Sequence, residues 1–188
     1  MFSEGEGQWA LDYIRTNWSA QMKRDDFNGA WHEMWETWGT TSHAWCSGPT
    51  ALLPEKVLGV EPILPGWKQF RIQPCLYDLE WAEGVIPSVA GHICVKLKSL
   101  MKDDMETGLR IETTIPENTT SKIYVPIQSD EHFTIYVNDE IIWNHGKFIG
   151  VNNKISFDSK SAEFIVFEFQ PGTYVINAID NVFEVNYK

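Results

Sequence analysis

Two rhythms of apolar and polar positions run along the chain, and one replaces the other near residue 60. From Gln8 to Lys23 the large apolar side chains Trp9, Leu11, Tyr13, Ile14 and Trp18 recur at helical spacing, which predicts a helix. Asp25-Asp26-Phe27-Asn28-Gly29 then supplies a stop and a turn. Trp31, Trp35 and Trp38 stand at i, i+4 and i+7 and suit one face of a further helix, which Gly39-Thr40-Thr41-Ser42 would break at once. After Ser47-Gly48, Pro49 suits the first turn of a second helix running through Leu52 and Leu53 towards Gly59. Pro54 would kink it, because proline has no N–H to donate to the preceding turn.

Beyond Val60 the period shortens to two. Glu61-Pro62-Ile63-Leu64-Pro65-Gly66 is a punctuated connection, and strand signals follow from Trp67. Phe70 to Ile72 alternates. So do residues 91–98, with Ile93, Val95 and Leu97 on one side, then 109–115 and 122–126. Phe133 to Val137 and Ile141 to Trp143 flank Asn138-Asp139-Glu140, a hairpin signal. Glu163 to Phe169 and Tyr174 to Ala178 flank Gln170-Pro171-Gly172-Thr173, which reads as another. No helix of ordinary length, internal repeat or low-complexity tract follows residue 60. The fold class expected is mainly β, an antiparallel, jelly-roll-like β-sandwich over 63–188 preceded by a helical segment over 1–62. So small a helical piece is a poor independent domain and reads as the tail of a larger helical one.

Composition narrows the chemistry. A hydrophobic fraction of 43% in 188 residues is enough for a real core. The formal charge of −11 argues against nucleic acid and against an anionic membrane surface, both of which need a basic face. Cys46, Cys75 and Cys94 form no metal-ligand spacing and an odd count, so buried free thiols are expected. No apolar run approaches a membrane span, and the acidic start of the chain carries no signal core. That does not place the protein in a compartment if the chain is a piece of something longer. His32, His92, His132 and His145 show no ligand spacing. The fingerprints of a nucleophile elbow, a P-loop, a dinucleotide site and HExxH are all missing, and no metal or cofactor is implied.

What remains is the stretch 31–45, which holds four of the nine Trp together with Glu33, Glu36, His32 and His43. A packing face wants aliphatic side chains. Here flat rings alternate with ionisable groups. An indole offers an apolar face and one N–H donor. Sugars offer C–H faces to such rings and hydroxyls to carboxylates and imidazoles, so a carbohydrate site is the first reading. Trp67 and Trp81 read instead as packing between the two parts of the chain.

An ordered series of motifs carries a family resemblance. Trp35-Glu36-Thr37-Trp38, Ser42-His43-Ala44-Trp45, Val57-Leu58-Gly59-Val60, Pro65-Gly66-Trp67-Lys68 and Phe70-Arg71-Ile72-Gln73-Pro74 resemble the C-terminal portion of bacterial α-L-rhamnosidases. Leu109-Arg110-Ile111-Glu112, Ile115-Pro116-Glu117-Asn118-Thr119-Thr120 and Ile123-Tyr124-Val125-Pro126 resemble that family's C-terminal sandwich. The resemblance implies that residues 1 to about 60 end an (α/α)6 catalytic barrel. It implies inverting hydrolysis of terminal α-L-rhamnosyl groups, with Glu36 matching the general base, His43 a sugar-contacting histidine, and Trp35 and Trp38 the flanking rings. The family's general acid lies upstream and has no counterpart here.

Glu33 rivals Glu36, because the segment before Trp35 departs from the family pattern by one residue. The two cannot serve as an acid/base pair. Side by side on one face they would not reach opposite faces of a sugar, and inversion needs carboxyls about 6.5–9.5 Å apart. Three functions stay open: a fragment of such a hydrolase, inactive alone; a non-catalytic carbohydrate-binding module; and a structural sandwich. The expected partner is a rhamnosyl glycoside, and the Trp cluster offers a surface for self-association or for pairing with the rest of a barrel.

Overall fold

The computed structural model describes residues 2, 5–36, 39–102, 105–127, 133–150 and 153–181, and the chain divides into two compact units, Met1–Lys56 and Val57–Lys188. The expected boundary at 62/63 and this division at 56/57 differ by the segment Val57 to Pro62, whose Val57, Leu58 and Val60 are buried.

In the first unit, α1 (Gly7–Met22) buries Ala10, Leu11 and Gln21. A 3₁₀ turn over Ala44–Ser47 leads into α2 (Gly48–Lys56), which contains Pro54 and ends three residues short of Gly59. No helix forms over 31–36. Side chains of α1 and the turn after it claim the groups that a helix would use. The Gln21 amide accepts from the His32 N–H at 3.1 Å and donates to the carbonyls of His32 and Met34, each at 3.4 Å. The Arg24 guanidinium donates to the carbonyl of Trp35 at 3.2 Å and to that of Glu36. The segment folds back instead: the Glu33 N–H meets the Thr40 carbonyl at 2.9 Å, and the His43 N–H meets that of Trp31 at 3.3 Å.

The second unit is a sandwich of two sheets. One has the order β1 (Val60–Pro62), β2 (Gln69–Ile72), β6 (Thr120–Pro126), β11 (Phe164–Phe169), β10 (Ile155–Lys160). The other runs β3 (Trp81–Ser88), β4 (Gly91–Lys102), β5 (Met105–Ile115), β12 (Gly172–Asp180), β7 (Phe133–Val137), β8 (Glu140–Asn144), β9 (Lys147–Phe148). All pairings are antiparallel except β2 with β6. Alternate residues point inward. Ile93, Leu97, Ile111, Ile135 and Ile176 from one sheet meet Phe70, Ile72, Ile123, Ile165 and Phe167 from the other, all fully buried.

The hairpin over 138–140 forms as expected. Asn138 and Asp139 hold φ of 49° and 68°, the two left-handed residues of a type I′ turn, whose twist suits the flanking strands. The second expected hairpin does not form. β11 pairs with β6 and β10, whereas β12 pairs with β5 and β7, so Gln170 and Pro171 carry the chain from one sheet to the other. The Tyr174 hydroxyl donates to the Gln170 carbonyl at 2.8 Å and pins that crossing. A Pro-Gly turn signal reports a reversal, and an arch between sheets reverses direction as well.

β1, β3, β9 and β10 leave no clear alternation in the sequence. All four are edge strands, with one open side and few inward residues. β3 buries only Ile86 and carries Pro87, which a central strand would exclude. The three thiols are free but not buried: Cys75 is exposed, and Cys46 and Cys94 are half-buried. Cys94 alternates with Ile93 and Val95 and so falls on the outward side of β4. Trp67 packs its ring on Phe70 at 6.1 Å, inside the second unit. Trp81 stays 57% exposed.

Candidate functional site

The fold-back of 31–36 onto 40–43 brings one carboxylate and one imidazole together, and the carboxylate is that of Glu33. Its Oε2 accepts from the Thr40 N–H at 3.0 Å and from the Thr40 hydroxyl at 3.1 Å, and lies 3.5 Å from His43 Nδ1. The Thr40 Oγ1 is also 2.8 Å from His43 Nδ1. A hydroxyl has one proton. If it goes to Glu33, Nδ1 must carry its own proton and donate to Thr40, leaving Nε2 as the acceptor of a neutral ring. The Thr40 N–H, then its hydroxyl and the nearby His43, hold the Glu33 carboxyl below the ordinary carboxylate range despite some desolvation. Glu33 is therefore an anion fixed through Oε2 and a weak base. The Cys46 thiol donates to its carbonyl at 3.0 Å.

Glu36 is differently placed. It is exposed, and its backbone carbonyl, not its carboxylate, is the group held by Arg24. The expected neighbours separate accordingly. Trp35 is 48% exposed and meets the edge of Trp18 at 4.9 Å and 89°. Trp18 is anchored through its N–H to the Cys46 carbonyl at 2.8 Å. The His43 ring lies 4.0 Å from the ring of Trp45, which is 68% exposed. Trp31 donates its N–H to Thr50 Oγ1 at 3.0 Å and contacts Phe27 at 5.7 Å. Trp38 and His132 lie outside the described residues. Among the described residues no group of three or more His, Cys, Asp and Glu is disposed to hold a metal.

Sequence reasoning missed Gln21, Arg24 and Thr40, which set this loop. Arg24 directly precedes the turn signal that begins at Asp25. In the structure it grips Asp26 through Nε and Nη2 at 2.8 and 2.7 Å while Nη1 holds the two carbonyls. That bond draws the Asp26 carboxyl down to about 2. A depressed folded-state value stabilises the fold fully above the ordinary range and loses that contribution as pH falls through the folded value. The aromatic near-ultraviolet signal of the first unit is therefore expected to weaken as pH falls from about 4 towards 2. Asp26→Asn should flatten that part of the profile, and an unchanged profile would remove Asp26 as its source.

Residues 59–135 match the model of the bacterial alpha-L-rhamnosidase C-terminal domain. No curated protein matches the chain. The α-L-rhamnosidase from Dictyoglumus thermophilum superposes with a TM-score of 0.60 at 20% identity, over 80% of this chain and 16% of that one. The Streptomyces avermitilis α-L-rhamnosidase, solved in complex with L-rhamnose, gives 0.54 at 15% identity, over 79% of this chain and 13% of that one. The chain thus spans under a fifth of the length of either enzyme, and at these identities the likeness establishes the fold. With the match over 59–135 carried by a sandwich of the same fold, the chain is similar to the C-terminal portion of bacterial α-L-rhamnosidases.

Proposed function

We propose that the chain is the C-terminal part of an α-L-rhamnosidase-like inverting glycoside hydrolase, and that it supplies the general base while the acid comes from a barrel upstream. The observation that carries this reading is the order of features: a ring-walled loop with two carboxylates directly precedes a domain matched to that family at 59–135. Glu36 is the better candidate for the base. A base must offer an unoccupied lone pair to a water, and it needs a pKa near the operating pH. Glu33 Oε2 already accepts two bonds from Thr40, which fix that carboxylate in place, and its carboxyl is held low. Glu36 would take a proton from the water that attacks the anomeric carbon, and the acid would protonate the leaving oxygen on the other side of the sugar. The exposed Trp35 ring would take a C–H face of the rhamnosyl group. His43, held by Thr40 through Nδ1, would turn Nε2 to a sugar hydroxyl. The outward indoles of Trp35 and Trp45 also suit this loop to pairing with the rest of a barrel.

The purified chain is expected not to hydrolyse an aryl α-L-rhamnoside. Joined to an upstream barrel that bears the acid, it should turn the substrate over. Glu36→Gln should then lower kcat by at least about 10²-fold. Glu33→Gln should act mainly on KM. Loss of kcat confined to the Glu33 variant would transfer the role to Glu33, and full activity in both variants would remove this loop from the chemistry.

A further inference from the structure

The seven-stranded sheet has an outward face that the catalytic reading does not use. Its register puts Trp81 opposite Lys98, Lys98 opposite Arg110, Arg110 opposite Asn177, and Asn177 opposite Tyr136. Five strands thus contribute one line of side chains, with an aromatic ring at each end and polar groups between. Strands stand about 4.8 Å apart, so the line is roughly 19 Å long. Their sequence neighbours Leu97, Ile111, Ile176 and Ile135 are fully buried, which fixes the line on the outward side. Arg110 is held in place, donating to Asn177 Oδ1 at 3.1 Å and to Glu112 at 2.9 Å. Lys96 pairs with Glu83 at 3.4 Å, whereas Lys98 enters no ion pair among the described residues.

At the Trp81 end the face deepens into a cleft of about 320 Å³, lined by Tyr77, Asp78, Glu80, Trp81, Lys98 and Met101 among others. That volume is in the range of roughly 300–1,000 Å³ usual for small-molecule clefts. The turn that builds it is strained. Tyr77 holds φ 53°, a left-handed conformation unfavourable for a bulky ring, and such outliers persist where surrounding structure enforces them. Backbone bonds enforce it here: the Leu79 N–H meets the Leu76 carbonyl, and the Ser99 N–H meets that of Glu80, each at 2.9 Å. Burial, then the neighbouring Cys75, pushes the Tyr77 phenol up to about 12.

A lining made for packing would be aliphatic throughout. This one adds to Leu79 and Met101 a 57% exposed indole, a phenol, an ammonium and two carboxylates. Flat apolar faces beside both donors and acceptors match the surface of a pyranose, which is C–H on its faces and hydroxyl at its rim. We propose that this cleft binds one pyranose unit of a saccharide. The sugar's C–H face lies on Trp81, its hydroxyls bond to Glu80 and Lys98, and the remaining units run along Arg110, Asn177 and Tyr136. The proposal holds whether or not Glu36 is a base.

The test uses the full chain with ¹⁵N-labelled indoles, titrated with methyl α-L-rhamnopyranoside and, separately, with methyl β-D-galactopyranoside. The Trp81 N–H resonance is expected to shift saturably at millimolar concentration with at least one of them. Trp81→Ala should weaken that affinity at least about tenfold and Lys98→Met about threefold, with the unfolding transition retained because both side chains are exposed. Glu36→Gln and His43→Ala should leave it unchanged, which separates this site from the proposed catalytic one. The proposal is overturned if neither sugar moves the Trp81 resonance, if Trp81→Ala binds as the parent does, or if sedimentation shows Trp81 buried in a dimer that Trp81→Ala dissociates.

Discussion

Gly59→Ala is expected to destabilise the sandwich by about 4 kcal/mol, a large share of what a domain of this size carries. Gly59 holds φ +75°, where a β-carbon costs about 1–2 kcal/mol. The larger problem is space. A β-carbon there would stand 1.9 Å from the Gln73 carbonyl oxygen and 2.1 Å from its carbon, and both are backbone atoms. The two chains approach so closely because they are bonded: the Gln73 N–H reaches the Gly59 carbonyl at 2.9 Å, and the Cys75 N–H reaches that of Val57 at 3.0 Å. Relieving the clash means giving up these bonds, about 1 kcal/mol each, and loosening the adjacent Val60–Ile72 pairing of β1 with β2. Domains of this size carry about 5–15 kcal/mol in all. Urea unfolding should show a lower midpoint at unchanged slope. A loss below about 1 kcal/mol would mean that Gln73 can move away freely.

Phe167→Ala is expected to cost about 3–5 kcal/mol, as deletion of a buried ring from a close-packed core does. Phe167 is 0% exposed, and the rings of Trp143, Phe148 and Phe157 surround it at 6.2, 5.8 and 6.3 Å. It sits on β11, paired with Ile123 on one side and Phe157 on the other, so neither neighbouring strand can collapse into the vacancy without breaking its ladder. Phe157→Ala is the internal control. That ring belongs to the same cluster but is 41% exposed, and its loss should cost only about 1 kcal/mol. Equal costs for the two variants would show that the cluster is loosely packed and that burial does not set its energy.

Gly59 also shows how a residue can be read correctly in kind and wrongly in role. Its place after an apolar run suggests a helix cap. The helix ends at Lys56, and the glycine serves a close approach to the backbone of Gln73, fourteen residues later and just past the end of β2. The same limit appears at Trp31 and Trp35. Their spacing suits a helix, but helix hydrogen bonds need free carbonyls, and those of His32, Met34, Trp35 and Glu36 are taken by Gln21 and Arg24. Local spacing carries no information about which distant side chain arrives first at a backbone group.

What the chain determined by itself is the arithmetic of its central strands and its turns. Inward positions of β4, β5, β6 and β7 alternate because one face of each meets the core, and Asn138-Asp139 allows the left-handed turn between β7 and β8. The tertiary structure alone decided how the strands were shared between two sheets, since Gln170-Pro171-Gly172 serves a hairpin and an arch equally well. It also decided that Glu33, rather than Glu36, would be bound to Thr40 and His43. Hydrogen bonds form between groups brought together in space, and residues 33, 40 and 43 meet only once the loop has closed upon itself.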